Sequence, residues 1–238
     1  MTKTVIRILS FVLLVPTFAQ AGQQVVQVGL VHTDDTAGYL AWLEEAAPTI
    51  LAANDTSGAL GACAPSFGAK QQGDVYFWTT TPSNEAMLSI DLNAPAVARE
   101  IAKVAAIRTV VSRDLWDTLK PGNLALEAGA TYSSLWLIVE TDQVSRYVAL
   151  TTELEEALHQ NGFEDLNSSA FSVTTGEFTG HVSVLVSAPT ADRVGAMMDA
   201  TGAKPEPWAA ELRSEFDAGI RTIVQEMVLD CHVFAVRQ

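Results

Sequence analysis

The segment AIRTVV at residues 106–111 returns as GIRTIV at residues 219–224. Both copies are rich in β-branched residues, which predicts a strand at each place. Asp117 and Asp230 follow the two segments at the same distance, so the copies keep a common register beyond the segment itself. A stretch that recurs in this way indicates a chain that uses one structural unit twice.

Further identities support the duplication, because they occur in the same order in both halves. A single identity of this kind is weak evidence, but several in register favour a repeat over coincidence. The matching residues are Thr33, Asp34, Tyr39, Gly73, Val75 and Pro82 in the first half, and Thr141, Asp142, Tyr147, Gly180, Val182 and Pro189 in the second.

The pattern of apolar residues predicts the same order of elements in each half: strand, helix, strand, strand, helix, strand. Pro48 falls inside the first helix, predicted at residues 36–53, and is expected to kink or divide it. This order is that of the ferredoxin-like unit, an antiparallel sheet with helices on one face. We assign the first repeat to residues 22–122, a Gly- and Ala-rich linker to residues 123–131 and the second repeat to residues 132–238.

The predicted strands are apolar on both faces, as in VYFW at residues 75–78 and LWLIV at residues 135–139. The sheet face without helices therefore needs a cover other than water, and a second copy of the unit supplies it. In this the chain resembles the dimeric α/β-barrel superfamily in its tandem form. The closing strand RTVVSRDLW at residues 108–116 is most similar to the NIPSNAP-type and antibiotic-biosynthesis-monooxygenase-type branches. The resemblance implies an α+β fold, with two tandem ferredoxin-like βαββαβ units packed sheet to sheet as an intramolecular α/β barrel.

The N-terminal residues have the features of an export signal. Lys3 and Arg7 form a short positive region around the start of an apolar run, and AQA at residues 19–21 is a typical cleavage site. We expect residues 1–21 to be removed, the mature chain to begin at Gly22, and the product to be periplasmic or secreted. Gly22 stands where a lipoprotein has its Cys, and no later segment has the length for a membrane span. We therefore expect no membrane anchor.

The chain is acidic, with a net charge of −14 at pH 7. Without the two cations of the signal, 12 basic residues stand against 28 acidic ones. This balance argues against nucleic acid and anionic lipid as partners. An acidic surface that keeps the protein soluble explains the charge, and a preference for cationic ligands is a minor alternative. The apolar barrel favours a small apolar organic ligand as the partner, bound by a monomer or a homodimer.

Cys63 and Cys231 are the two cysteines of the chain. An even number of cysteines in an exported protein favours a disulfide bond, and the alternative is a pair of buried free thiols. The strand order of a ferredoxin-like unit is 4-1-3-2, so barrel closure places the second strand of one unit beside the fourth strand of the other. Cys63 lies on the second predicted strand of the first repeat, and Cys231 follows the fourth strand of the second. Both cysteines should therefore meet at one seam between the repeats.

Five residues are candidates for ligand binding. His32 and Asp34 lie at the end of the first predicted strand. A His next to carboxylates can bind a metal or form an acid–base pair. The alternative is a helix-capping turn with an exposed His, which needs no ligand. His181 opens a predicted strand, and the superfamily includes haem-dependent members with an axial His; the alternative is a structural role. Arg108 and Arg221 are equivalent on the closing strands, where they either hold an anion inside the barrel or pair with acids at its rim. The abundance of acids favours pairing, and no metal site is assigned.

Motifs for catalysis are missing from the sequence. It contains no GxSxG elbow, P-loop, GxGxxG or HExxH motif, so no catalytic residue is assigned. We expect a non-enzymatic exported protein that binds a small ligand or has a structural role, without a cofactor. The alternative follows from the monooxygenase-type resemblance and is a cofactor-independent or haem-assisted monooxygenase or other oxidoreductase.

Overall fold

The structure, a computed structural model, describes residues 24–237. The export signal predicted at residues 1–21 and the mature start at Gly22 lie outside the described residues. Each half contains its elements in the predicted order. The first half contains β1 (Val25–Thr33), α1 (Thr36–Ala52), β2 (Ala59–Phe67), β3 (Asp74–Thr81), α2 (Asn84–Leu88), α3 (Pro95–Lys103) and β4 (Arg108–Lys120). The second contains β5 (Thr131–Glu140), α4 (Val144–Gln160), β6 (Asn167–Val173), β7 (Val182–Ala188), α5 (Ala191–Thr201), α6 (Ala210–Glu215), a π-helical turn (Phe216–Ile220) and β8 (Thr222–Val236).

Helix α1 continues through Pro48, so the expected division of this helix is not observed. Its start is fixed by Asp35, whose side chain accepts a hydrogen bond from the Gly38 backbone N–H at 2.9 Å. Pro48 lies on the exposed face, while Ala46 and Ala47 are buried in the cluster between helix and sheet. Packing of the buried face therefore holds the helix together, and the hydrogen bond that proline removes lies on the solvent side.

The strands close into a barrel in the order β1-β3-β2-β8-β5-β7-β6-β4, and the neighbouring strands are antiparallel. Within each repeat the order is the expected 4-1-3-2. The repeats join where β2 pairs with β8 and where β4 pairs with β6. This arrangement confirms the α+β fold of two tandem ferredoxin-like units. It also explains why the strands are apolar on both faces, because one face packs inside the barrel and the other packs against helices.

Cys63 and Cys231 form a disulfide bond across the β2–β8 seam. The two residues are directly opposite in the strand register, and their Cα atoms lie 4.0 Å apart. One detail differs from the expectation: β8 continues to Val236 and so contains Cys231 instead of ending before it. The bond joins positions 168 residues apart and links the first repeat to the last strand.

Buried apolar side chains form a cluster in each space between the layers. One cluster lies inside the barrel and includes the disulfide. A second lies between the helices and the sheet of the first repeat, and a third lies at the equivalent place in the second repeat. None of the helices within residues 24–237 is both long enough and apolar enough to cross a membrane. The cavities described below lie in these three spaces.

Candidate functional site

The barrel interior contains a cavity of about 170 Å³, whose wall combines aromatic, aliphatic and polar side chains. For scale, an engineered apolar cavity of about 150 Å³ in another protein holds one benzene molecule. Leu124 and Leu126, from the segment between the repeats, complete the wall. The cavity therefore has room for a ligand of about one aromatic ring. Its aromatic lining consists of Tyr76, Trp78, Trp116, Tyr132, Trp136 and Phe171.

Two indole groups in this wall have no hydrogen-bond acceptor. The Nε1–H groups of Trp78 and Trp116 are buried, and neither has a partner among the described residues. In contrast, Trp136 Nε1 donates to Ser183 Oγ at 2.8 Å. A buried donor without an acceptor costs about 1–3 kcal/mol, and an indole N–H group acts only as a donor. A ligand oxygen that accepts these hydrogen bonds would remove that cost.

Asp114 also lies inside the barrel, at a smaller cavity of about 20 Å³. The residue is 7% exposed, and its Oδ1 atom has no partner among the described residues. Burial, together with the charge of Glu177, raises the pKa of the Asp114 carboxyl to about 6. Tyr76 and Trp136 line both cavities and so lie between Asp114 and the aromatic cavity. A carboxyl group with this pKa is suited to accept a proton near neutral pH.

The smaller cavity has a second unsatisfied oxygen. Gln225 Oε1 is buried without a partner among the described residues, while Gln225 Nε2 donates to Tyr76 Oη at 3.5 Å. A space of about 20 Å³ is sufficient for one water molecule. Such a water would donate hydrogen bonds to both Asp114 Oδ1 and Gln225 Oε1 and provide a route for a proton.

A third cavity, of about 70 Å³, lies between the helices and the sheet of the first repeat, with Arg108 and Arg113 on its wall. Residues five apart on a regular strand point to opposite faces, because side chains alternate. Here β4 has a β-bulge. Leu30 of β1 pairs with Ser112 and Val31 pairs with Val110, so Val111 of β4 has no partner in this register. The bulge shifts the alternation by one position and brings both arginines to the helix side of the sheet.

Neither arginine of this cavity forms an ion pair within residues 24–237. Arg108 Nη1 donates to Tyr39 Oη at 3.4 Å, and the guanidinium lies 5.5 Å from the centre of the Trp42 ring. Burial and the charge of Arg108 lower the pKa of Arg113. Trp42 lines the same cavity, and its Nε1–H group is buried without an acceptor among the described residues. The cavity therefore presents positive charge, and one residue of its wall has an unpaired N–H donor.

The equivalent space in the second repeat is a cavity of about 220 Å³ with a different charge pattern. Arg221 Nη1 donates to Tyr147 Oη at 3.1 Å, which repeats the contact of the first half. The bulge also recurs in β8, and the position that corresponds to Arg113 is occupied by Glu226. The two positive charges of the first repeat are thus replaced by one positive and one negative charge.

A buried ion pair lies on the wall of this second-repeat cavity. Glu155 of α4 pairs with Lys120, which reaches it from β4 of the first repeat. Glu155 Oε1 accepts a hydrogen bond from the Ser168 backbone N–H at 2.9 Å, and Lys120 Nζ donates to the Ser168 carbonyl at 2.6 Å. These charges are satisfied by each other and by the backbone, so they stabilise the β4–β6 seam and are not available to a ligand.

Three of the residues predicted to bind a ligand lie away from these cavity walls. His32 Nδ1 lies 3.3 Å from Asp74 Oδ1 at the end of β1. Asp34 is exposed. His181 Nδ1 lies 3.0 Å from the Phe178 carbonyl oxygen. The structure does not bring these residues together, and their role in ligand binding stays a prediction.

Arg108 and Arg221 do line cavities, but not in either of the expected arrangements. They point to the helix side of the sheet, not into the barrel, and none of the ion pairs formed among the described residues includes them. The reason is packing: each guanidinium lies over aromatic rings and donates to a buried tyrosine hydroxyl.

The strongest site residues were not identified from the sequence. Asp114 and Trp116 are two apart on β4, so strand alternation places them on one face, but the sequence does not show that this face is the barrel interior. Trp78 reaches the same cavity from β3. Arg113 shares a face with Arg108 only because of the bulge, and no residue pattern marks the position of that bulge.

No family model and no curated protein sequence matches the chain, whereas solved structures match it along nearly its whole length. A candidate monooxygenase from Fusobacterium nucleatum subsp. nucleatum has a TM-score of 0.61 at 9% identity, covering 92% of this chain and 95% of that one. An anthrone oxidase-like protein has a TM-score of 0.51 at 11% identity, covering 92% and 96%. A single-residue variant of the chlorite dismutase from Candidatus Nitrospira defluvii has a TM-score of 0.53 at 8% identity, covering 88% and 90%. Identities this low show a shared fold, and the fold is that of the dimeric α/β-barrel superfamily.

These neighbours correct two expectations from the sequence. The expected non-enzymatic function is wrong, because structures with this fold carry the names of oxidoreductases, which favours the alternative function. The expected lack of a cofactor is also wrong for this fold, because its chlorite dismutase-like members are haem-dependent. The physical reason is that the barrel collects its functional side chains singly from several strands, and such residues form no motif in the sequence.

The described residues of this chain do not fit haem. Haem iron takes an axial His, Cys or Tyr, or a Met together with a His. No His lies on the walls of the described cavities, and both cysteines are in the disulfide. Four tyrosines line these cavities: Tyr39, Tyr76, Tyr132 and Tyr147. Burial raises the pKa of each hydroxyl and so opposes the phenolate that iron binds. Even the second-repeat cavity, at about 220 Å³, is smaller than the roughly 300–1,000 Å³ of common ligand pockets.

Proposed function

We propose that the protein is an oxidoreductase of the monooxygenase type that uses O₂ to oxidise a one-ring phenol bound inside the barrel. The observation that carries this proposal is the pair of buried indole N–H donors, from Trp78 and Trp116, in an aromatic cavity wall. The names of two fold neighbours, a candidate monooxygenase and an anthrone oxidase-like protein, support the same reaction class.

A phenol matches the cavity in size, shape and polarity. Its ring fits a volume of about 170 Å³, and aromatic walls favour edge-to-face or offset contacts with it. Its oxygen atom would accept hydrogen bonds from Trp78 and Trp116. These fixed donors stabilise negative charge on the oxygen more strongly than they stabilise the neutral phenol, because the site is buried and has little water to reorganise. The wall therefore favours the phenolate, which is the form that O₂ attacks.

The reaction converts a phenol with a free para position and one O₂ into a para-quinone and one water. The O–H bond and the para C–H bond break, one oxygen atom becomes the new carbonyl, and the other leaves as water. The substrate loses four electrons and O₂ gains four. Asp114 is the proton acceptor in this proposal, and it acts through a water in the small cavity beyond Tyr76 and Trp136.

A binding experiment with phenol and benzene tests the role of the indole donors. Trp116→Phe keeps an aromatic ring but removes one N–H donor, so it should weaken phenol binding by roughly 5- to 15-fold, the value of one hydrogen bond. Benzene binding should change little, because benzene has no acceptor oxygen. Trp208→Phe is the control, since Trp208 donates to Glu206 and lies outside the barrel cavity. Equal affinities of the native protein for phenol and benzene would overturn the proposal.

Turnover is measured as O₂ uptake coupled to quinone formation with para-unsubstituted phenols. Asp114→Asn should lower the rate by roughly 100-fold or more while phenol still binds, as expected for loss of a proton acceptor. Asp117→Asn, on the same strand, is the matched control and should retain the rate. A Soret band in the purified protein, or turnover that begins only when haem is added, would contradict the proposed reaction.

A further inference from the structure

The cavity of Arg108 and Arg113 lies on the helix side of the sheet, so the reaction proposed for the barrel does not use it. Its charges are unusual for this chain, which has 28 acidic residues against 14 basic ones. Arg108 is half-buried and Arg113 is exposed, and neither has a carboxylate partner among the described residues, whereas the partly exposed residues Arg146, Arg193 and Arg213 each pair with one. Two neighbouring arginines without such a partner repel each other, and an anion from solution would relieve that repulsion.

The geometry of the two arginines is suited to hold an anion. Arg108 is fixed by the Tyr39 hydroxyl and by the Trp42 ring, so its guanidinium loses little freedom when a ligand binds. Arg113 forms no hydrogen bond with another described side chain and lies on the same wall. A guanidinium group presents N–H donors in a planar fork that matches the two oxygens of a carboxylate.

Trp42 provides a second and independent indication of a ligand. The residue is 9% exposed and its Nε1–H group is buried without an acceptor among residues 24–237. It lies on the wall of the same cavity as the two arginines. A ligand oxygen would satisfy this donor, and an anion with two oxygen atoms has enough acceptor positions for the indole and both guanidinium groups.

The cavity is small, and most of its wall is apolar. Its total volume of about 70 Å³ is about half of the roughly 150 Å³ that holds benzene, so it has room for a carboxylate group with a short alkyl chain. An inorganic anion would leave the apolar wall without contacts. The apolar lining includes Leu43, Leu51, Leu60, Phe77, Val97 and Ile101.

We propose that the first repeat binds a short-chain carboxylate, with the carboxylate on Arg108, Arg113 and Trp42 Nε1 and the alkyl chain in the apolar part of the cavity. The site is separate from the barrel, and binding there does not require the proposed oxygenation. Its ligand is distinguished from inorganic phosphate by the alkyl chain, and from an alcohol by the charge.

Calorimetric titration of the full mature chain with butyrate tests this site. Butyrate should bind one per chain, more tightly than acetate or inorganic phosphate, and 1-butanol should not compete. Arg113→Glu copies the residue of the second repeat and should weaken butyrate by roughly 10- to 100-fold, the effect of losing a charged hydrogen bond. Arg99→Glu changes the charge equally on α3, outside the cavity wall, and should leave binding unchanged.

Two further variants make the result decisive. Trp42→Phe keeps an aromatic ring but removes the indole N–H donor, and should weaken butyrate by roughly 5- to 15-fold, the value of one hydrogen bond. Trp116→Phe should leave butyrate binding unchanged, so failure of the phenol proposal and failure of this one are distinguishable. Phosphate binding as tight as butyrate binding, unchanged butyrate binding by Arg113→Glu, or unchanged butyrate binding by Trp42→Phe would each overturn the proposal.

Discussion

The closing strands β4 and β8 occupy the same place in their repeats and carry the same bulge, yet their residues differ at several positions, two of which are adjacent and change the charge. Arg113 and Asp114 of β4 correspond to Glu226 and Met227 of β8. Neighbouring residues of a strand face opposite sides of the sheet. The first difference therefore changes the charge on the helix side, and the second changes the polarity inside the barrel. At these two positions the first repeat therefore has an arginine that lines a candidate ligand site and a candidate proton acceptor, and the second repeat has neither.

The two seams between the repeats differ in a similar way. At the β2–β8 seam the repeats are joined by the Cys63–Cys231 disulfide. At the β4–β6 seam they are joined by the buried pair of Lys120 and Glu155. The position equivalent to Glu155 in the first repeat is Ala47, so that repeat has no counterpart of this ion pair. The two seams are equivalent in the duplicated fold, yet a covalent bond stabilises the β2–β8 seam and an ion pair stabilises the β4–β6 seam.

Removal of the disulfide should have the largest effect on stability. The double variant Cys63→Ser and Cys231→Ser should lower the free energy of unfolding by about 4–5 kcal/mol in the chain-entropy model. The bond joins positions 168 residues apart, so its loss greatly increases the freedom of the unfolded chain. Urea unfolding of the protein measures the difference. The double variant Cys63→Ala and Cys231→Ala is the control, because it introduces no buried hydroxyl groups. If both double variants lose less than about 1 kcal/mol of unfolding free energy, strand pairing alone holds this seam.

Glu155→Ala tests the other seam and should lower the free energy of unfolding by about 3 kcal/mol, because the largely buried Lys120 loses the carboxylate that balances its charge. Glu156→Ala changes an exposed neighbour and should have an effect within about 0.5 kcal/mol. Adding Lys120→Met to Glu155→Ala should recover most of the loss, since an apolar pair needs no charge compensation. If the double variant is no more stable than Glu155→Ala, the unpaired charge of Lys120 does not cause the loss of stability in Glu155→Ala.

Asp114→Asn should have the smallest effect, and it depends on pH. The pKa of Asp114 is about 6 in the folded chain and 3.8 in an ordinary carboxyl. The folded state therefore binds this proton more readily than the unfolded state, and its stability falls as the pH rises from about 4 to about 6. Asp114→Asn should stabilise the protein by about 1–3 kcal/mol at pH 7.5 and not at pH 3.5. Thermal unfolding at both pH values measures the change in stability, with Asp117→Asn as the control. If Asp114→Asn stabilises the protein equally at both pH values, the carboxylate charge does not cause the stabilisation.

The sequence predicted much of the fold and little of the candidate sites. The repeated IRT segments, together with the order of strands and helices, indicated the tandem barrel. The seam of Cys63 and Cys231 followed because a closed barrel leaves few ways to pair the edge strands. In contrast, His32 and His181 attracted attention as residue types, and the structure places both away from the cavity walls. Residue type alone does not show which side chains a fold brings together.

By itself, the sequence determined the duplicated architecture, the acidic charge and the pairing of the two cysteines, because these depend on local pattern, composition and strand order. Only the tertiary structure decided which residues share a cavity. Trp78 and Trp116 come from different strands and meet only when the barrel closes. Arg108 and Arg113 share a face only because a one-residue bulge shifts the alternation of β4. Such a shift reverses the direction of every later side chain on the strand, and the pairing with β1, not the local sequence of β4, sets its position.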